Sequence, residues 1–298
     1  MFFNTLELIR VKDWLKNLLL FVPLVFSGNV LIFNYYQSLI INFLIFSFTA
    51  SIVYIINDIF DIENDQKHPL KLKIKPLARD SLTISFALCL IPLILFILLI
   101  LLFLDSKIIF HIILYFGLNL LYIFIIKGII IVDIIIISIG YVVRIDAGSF
   151  IIGVQSSVLM LVSIFLLSFF LLTIKRKKEF ENNISSRISI KKYNITILNL
   201  LIYVSLVSSI FFYVIYLYFI NSELFITLPI VILCLLRYLY VTSITNKGEF
   251  PIDIFLRDWI LILLKHLCRM DLLTFTFKIS RIPSKVRFLI HNLMSLNN

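Results

Sequence analysis

Charge is scarce in this chain. Only 15% of its 298 residues are Asp, Glu, Lys or Arg, against 61% hydrophobic, and the mean hydropathy is +1.07. That balance excludes a soluble globular domain and a disordered chain, and it places the sequence among multi-span membrane proteins. Cysteine is scarce as well. Cys89, Cys234 and Cys268 sit in or beside apolar runs with no paired spacing, which excludes a disulfide framework and reads as small apolar filling. His68, His111, His266 and His291 are scattered, so a zinc site has no support. The sequence also lacks low-complexity segments, a solenoid repeat and the small-residue cleavage site of a signal peptide. A net charge of +10 could suggest nucleic acid. The bases lie between apolar spans, however, where they serve topology and anionic lipids or phosphates, and no nucleic-acid partner is expected.

What is present is a succession of apolar runs long enough to span a bilayer. They predict an all-α, polytopic membrane bundle of about nine helices, over residues 17–33, 38–56, 82–104, 108–126, 129–143, 158–174, 195–220, 224–241 and 258–268. Pro23 falls in the first and Lys265 interrupts the last. Basic residues gather in the N-terminal segment, in the 57–81 and 175–195 loops and at Lys127, whereas the opposite turns hold chiefly Lys107. By the positive-inside rule the N-terminus and those loops face the cytoplasm. Residues 1–272 are expected to form the membrane domain, and residues 273–298 a basic amphipathic tail at the interface.

The chain is organised around residues 57–79, one long polar interruption. If the preceding helix continues, Asp58, Asp61 and Asp65 fall at i, i+3 and i+7 on a single stripe. Like charges one turn apart repel, and hard oxygen ligands in ones and twos are the habit of Mg²⁺, whose shell waters and substrate phosphates complete. Lys67, Lys71, Lys73, Lys75 and Arg79 follow directly and can neutralise phosphate oxygens. Acid followed by base points to Mg²⁺-diphosphate, although the lysines alone read equally well as positive-inside charges. A second polar cluster, Asn119, Tyr122, Lys127 and Asp133, is expected on the same side, and a carboxylate in the run around Asp133 is too costly to be incidental. Arg144 either binds a lipid phosphate, pairs with Asp146 or snorkels to the outer interface. Arg237 either pairs with Asp253 or Asp258 or snorkels.

These motifs resemble a known family. Asn57-Asp58-x-x-Asp61-x-x-x-Asp65, followed by His68-Pro69, is similar to the first aspartate-rich motif of the UbiA-type intramembrane prenyltransferase superfamily. Arg10-x-Lys12-x-Trp14-x-Lys16-Asn17, Tyr122 to Lys127, Asp133, Gly140-Tyr141-x-x-Arg144-x-x-Ala147-Gly148, Lys175-Arg176-x-x-Glu179 and Arg237-Tyr238 resemble its branch of decaprenyl-phosphate phosphoribosyltransferases. The chain departs from that branch at Val11, Gln66, Lys75 and Arg79-Asp80, which leaves the acidic stripe intact.

The resemblance implies helices around a lipid-accessible cavity and transfer of 5-phosphoribosyl from phosphoribosyl diphosphate to a polyprenyl phosphate for cell-envelope glycan synthesis. It implies a bacterial plasma-membrane location, a cytoplasm-facing site and Mg²⁺ on Asn57, Asp58, Asp61 and Asp65. Catalytic roles are implied for Asp58, Asp61, Lys127 and Asp133, and substrate contacts for Lys16, Asn17, Asn57, Lys71, Lys75, Tyr122, Arg144, Lys175 and Arg176. Assembly state is left open, a homo-oligomer included. The same stripe would serve transfer of a prenyl group to an aromatic or tetrapyrrole acceptor. A lipid or ion transporter is the alternative from a different class, disfavoured because its charged sites belong near the bilayer midplane.

Overall fold

The computed structural model describes residues 1–181, 193–219, 222–244, 254 and 258–263. These residues are mainly helical, with no strand among them. The elements run α1 (Phe2–Leu8), a 3-10 segment (Val11–Phe21), α2 (Val22–Phe26), α3 (Asn34–Phe60), α4 (Ile62–Gln66), α5 (Pro69–Ile74), α6 (Ile84–Leu104), α7 (Ile109–Phe124), α8 (Val132–Ile152), α9 (Val158–Glu181), α10 (Ile195–Phe219) and α11 (Leu228–Ile244). Among the described residues six helices are long and apolar enough to cross a membrane, Asn34–Phe60, Ile84–Leu104, Val132–Ile152, Val158–Glu181, Ile195–Phe219 and Leu224–Ile244, and the apolar α7 is shorter.

The expected first span is not one helix. Pro23 has no amide to offer the Leu19 carbonyl four residues back, and its ring crowds that carbonyl. The chain ahead of it is wound as a 3-10 helix, and the Val22 amide bonds to Leu19 O. Two helices outrun their expected ends: α8 continues past 143 through Arg144, Asp146 and Gly148, and α9 carries Lys175 to Glu179, expected in a loop, in its last turns. Among the described residues, six long helices and the shorter α7 stand against nine expected spans: the first expected span is divided ahead of Pro23, and residues 264–268 of the ninth, the 273–298 tail, Asp253, His266, Cys268 and His291 lie outside the described residues.

Packing is set by where polar and small residues face. α3 presents Ser47 and Ser51 to the 3-10 segment: Asn17 donates to Ser47 Oγ and Trp14 Nε1 to Ser51 Oγ, each at 3.0 Å. On its other side the segment rests on α8, where Gly148 makes the close approach possible; a Cβ there would stand 2.2 Å from Leu20 O. α8 is thereby central, with α7, α9 and the segment around it, while α10 lies along α9. α6 is peripheral, exposing Leu88, Leu93, Leu95, Phe96, Leu99, Ile100 and Phe103, as a lipid-facing helix does.

The helices alternate in direction, so polar groups sort to two ends. At one lie the C-terminal turns of α3, α7 and α9 and the start of α8. At the other, Ser38 donates to Asp105, and Asp146 takes His111 Nε2 at 3.1 Å and Ser156 Oγ at 2.5 Å.

Gly148→Ala drives a methyl into the backbone of the 3-10 segment and is expected to destabilise by about 3 kcal/mol, the upper range for overpacking. Gly117→Ala meets nothing within 4 Å and is expected to be neutral or to stabilise by up to about 1 kcal/mol through helix propensity. Thermal unfolding of the two variants in detergent checks both.

Candidate active site

The acidic stripe survives folding, with one alteration. α3 ends at Phe60, Asp61 caps it with its amide on Asn57 O, and α4 restarts at Ile62 with the Asp65 amide on Asp61 O. The near-continuous helix keeps Asp58, Asp61 and Asp65 on the inward side, at 3%, 6% and 1% exposure. They do not share one neighbour. Lys75, from the chain just past α5, bridges Asp58 Oδ1 at 2.6 Å and Asp65 Oδ2, and Lys71 reaches Asp65 Oδ1 at 3.0 Å. Lys127, from the turn between α7 and α8, bridges Asn57 Oδ1 at 3.0 Å and Asp61. The stripe is therefore split into two oxygen pairs, each bridged by one ammonium, with further cations on the Asp58–Asp65 pair. Burial works against the charge of Asp65, yet Lys75 and Lys71 outweigh it and hold the carboxyl below its ordinary pKa.

Arg10 is the member that sequence reading did not place. Its guanidinium bonds to Asp58 at 2.6 Å and lies 4.8 Å from the Tyr54 ring centre. Its backbone sits at φ 54°, a conformation that non-glycine residues adopt only where surroundings compel it. Lys16 faces the same ring at 5.8 Å and pairs with Asp13 at 2.7 Å, and Asp13 also feels the charge of Lys175. The N-terminal segment thus carries the polar surface from α3 across to the end of α9. A basic residue opening a Trp-containing segment was visible in the sequence; which aspartate it would meet was not.

The remaining expected residues are placed deeper. Arg144 is 4% exposed in α8 and donates to Asn17 Oδ1 at 2.7 Å, Gly140 O at 2.7 Å and Tyr115 OH at 2.9 Å. It neither pairs with Asp146 nor snorkels outward. Asn17, 1% exposed, joins α3 to α8 through Ser47 and Arg144. Asp133 has both oxygens engaged: one accepts from Arg176 Nε at 2.8 Å, the other from Tyr193 OH at 3.1 Å. Arg176 continues to Glu179 at 2.6 Å and interacts electrostatically with Tyr122. Asp133 and Arg176 are 1% and 3% exposed, so this pair braces α8 against α9 behind the oxygen pairs. Arg237 pairs with Asp258 at 2.9 Å.

The donor set suits a hard divalent cation. Three carboxylates and an amide oxygen gather at one end, and two side-chain ammonium groups already stand between them as surrogate cations. Among the described residues no three of His, Cys, Asp or Glu converge on one point, so the arrangement is not a closed protein cage. Paired oxygens suit Mg²⁺, which keeps several waters and binds through one or two carboxylates and substrate phosphates.

The model of the UbiA prenyltransferase family matches residues 19–250. A decaprenyl-phosphate phosphoribosyltransferase of Corynebacterium glutamicum is 36% identical over 86 residues, 28% of this chain and 25% of that one. One of Mycolicibacterium smegmatis is 30% identical over 148 residues, 48% of this chain and 46% of that one. The chain thus spans less than half the length of these curated relatives. Among solved structures, a UbiA homologue from Archaeoglobus fulgidus bound to GPP and Mg²⁺ superposes with a TM-score of 0.67 at 16% identity, covering 93% of this chain and 99% of that one. The same homologue bound to DMAPP and Mg²⁺ gives 0.64 at 17% identity, with the same coverage. Identities so low speak for the fold alone, but the family model covers most of the chain: this protein belongs to the UbiA prenyltransferase family.

Proposed function

We propose that this chain transfers the 5-phosphoribosyl group from phosphoribosyl diphosphate to a polyprenyl phosphate, with Mg²⁺ and with its site toward the cytoplasm. The supporting observation is the surplus of cations. Arg10, Lys16, Lys71, Lys75, Lys127 and Lys175 surround Asp13, Asp58, Asp61 and Asp65. A site built for one diphosphate and a neutral aromatic acceptor needs fewer positive groups. A site for a diphosphate donor and a phosphorylated lipid acceptor needs a surplus, because both substrates arrive as anions. The names of the curated relatives support the same choice. The Mg²⁺ in the solved homologues supports a metal.

Asn57, Asp58, Asp61 and Asp65 are the residues to hold Mg²⁺, which when bound neutralises charge on a departing diphosphate. Lys71, Lys75 and Lys127 bind diphosphate oxygens and stabilise the negative charge that builds as the C1–O bond of the donor breaks. Lys16, beside the Tyr54 ring, and Lys175, within electrostatic reach of Asp13, orient the second anion. An ionised oxygen of the lipid phosphate forms the new bond to C1, and diphosphate leaves with the electron pair. No proton has to move, so the site needs no general base. His68 is occupied otherwise: buried, it caps α5 by accepting the Lys71 amide at 3.4 Å.

Incubation of purified protein with Mg²⁺, phosphoribosyl diphosphate and polyprenyl phosphates of several lengths, followed by lipid mass spectrometry, is expected to show the phosphoribosylated lipid. Prenyl transfer to an aromatic acid, with none from phosphoribosyl diphosphate, overturns the proposal. Asp58→Asn combined with Asp61→Asn is expected to lower turnover by at least about 100-fold, the scale of lost charge stabilisation at a reacting centre. Lys75→Ala leaves two buried carboxylates without their shared cation and is expected to cost about 2–3 kcal/mol in EDTA, between the values for exposed and fully buried pairs. Millimolar Mg²⁺ should then raise the melting temperature of that variant more than that of the unaltered protein.

A further inference from the structure

The turn between α7 and α8 is strained. Ile131 has φ 68° and ψ −42°, a region that L-residues avoid and that suits a β-branched side chain worst. The Val132 amide bonds to Ile130 O at 2.7 Å, closing a γ-turn of the rare hand around Ile131. Conformations of this kind cost about 1–3 kcal/mol and persist only where the surroundings over-determine them.

On the α7 side those surroundings are thin. Ile126 is buried, but Ile129 is exposed and a Cβ on Gly128 would meet nothing within 4 Å. On the α8 side the Ile131 carbonyl accepts the Ile134 and Ile135 amides, each at 3.0 Å, Ile130 and Ile131 pack against Phe169 and Leu198, and one side chain bonds to the Ile131 amide. The Tyr193 hydroxyl accepts the Ile131 amide at 2.8 Å and donates to Asp133 Oδ1 at 3.1 Å. Tyr193 is itself 5% exposed, packed with Ile134, Phe169 and Leu198, and Asp133 is anchored in turn by Arg176. The turn it pins begins at Lys127, whose ammonium closes the Asn57–Asp61 oxygen pair.

We propose that Tyr193 is a positioning residue: it holds Ile131 in its strained turn and so keeps Lys127 aimed at the Asn57–Asp61 end of the diphosphate site. It touches no substrate, and its hydroxyl acts through the backbone. The proposal rests on the reading that this end of the bundle binds Mg²⁺-diphosphate.

The test is calorimetric titration of the purified full chain with inorganic diphosphate in the presence of MgCl₂, scaled to folded protein. Four proteins are compared: the unaltered chain, Tyr193→Phe, Ile131→Gly, and the two substitutions together. Loss of the Ile131 hydrogen bond is expected to weaken diphosphate binding by about tenfold in Tyr193→Phe. Glycine takes positive φ without strain, so Ile131→Gly should bind within about threefold of the unaltered chain, and the double variant should recover to a similar level. A tyrosine that merely supports the fold would lower thermal stability in both backgrounds and leave affinity unchanged. Unaltered affinity in Tyr193→Phe, or a double variant as weak as Tyr193→Phe, overturns the proposal. Should Tyr193→Phe not fold, the double variant decides alone: recovered binding supports the proposal and absent binding overturns it. Failure of the unaltered chain to bind Mg²⁺-diphosphate removes the site reading itself, and the proposal with it.

Discussion

Buried carboxylates near a lipid-facing surface must be matched by cations, and here the cations come from three separate parts of the chain. Asp58, Asp61 and Asp65 share one helical stripe. Their counter-charges are Arg10 from the N-terminal segment, Lys71 and Lys75 from the stretch after α4, and Lys127 from the turn before α8. An uncompensated buried charge is strongly unfavourable, so the stripe can be buried only when all three segments have come together over it. The site and its enclosure are therefore assembled by one interaction. On the proposed function, these pairs are the ones that Mg²⁺-diphosphate would compete for.

Behind this surface lies a second set of charges with a different task. Asp133, Arg176 and Glu179 link α8 to α9, and Arg144 joins Asn17, Tyr115 and the Gly140 carbonyl inside the bundle. Every one of these groups is hydrogen-bonded and almost fully enclosed. In a medium without water such bonds fix how helices sit against one another, because a shifted helix would leave a polar group unmatched. Rigid support of this kind suits a site whose chemistry depends on where charges stand rather than on moving protons.

Much of this was legible in the sequence. Apolar runs located α3, α6, α7, α10 and α11 to within a few residues, and the spacing of Asp58, Asp61 and Asp65 announced a single stripe. What was not legible follows from physics that acts across the chain. The end of α8 and the task of Arg144 were hidden because the partners that enclose Arg144 and Asp146, Asn17, Tyr115, His111 and Ser156, come from distant segments. The first expected span fails because Pro23 acts on a carbonyl four residues earlier, an effect that hydropathy does not register. Tyr193 gave no signal at all: a lone tyrosine at the head of an apolar run looks like an interfacial aromatic, and only its bonds to Ile131 and Asp133 distinguish it.

The outlying position of α6 has a consequence for the history of the protein. Most of its side chains meet acyl chains, which ask only for apolarity and length, whereas Ala87, Ile94 and Leu98 are buried against the bundle. Sequence in this helix is free to drift among Leu, Ile, Phe and Val with little selective penalty, so related chains should differ most here and least on the inward stripe of α3.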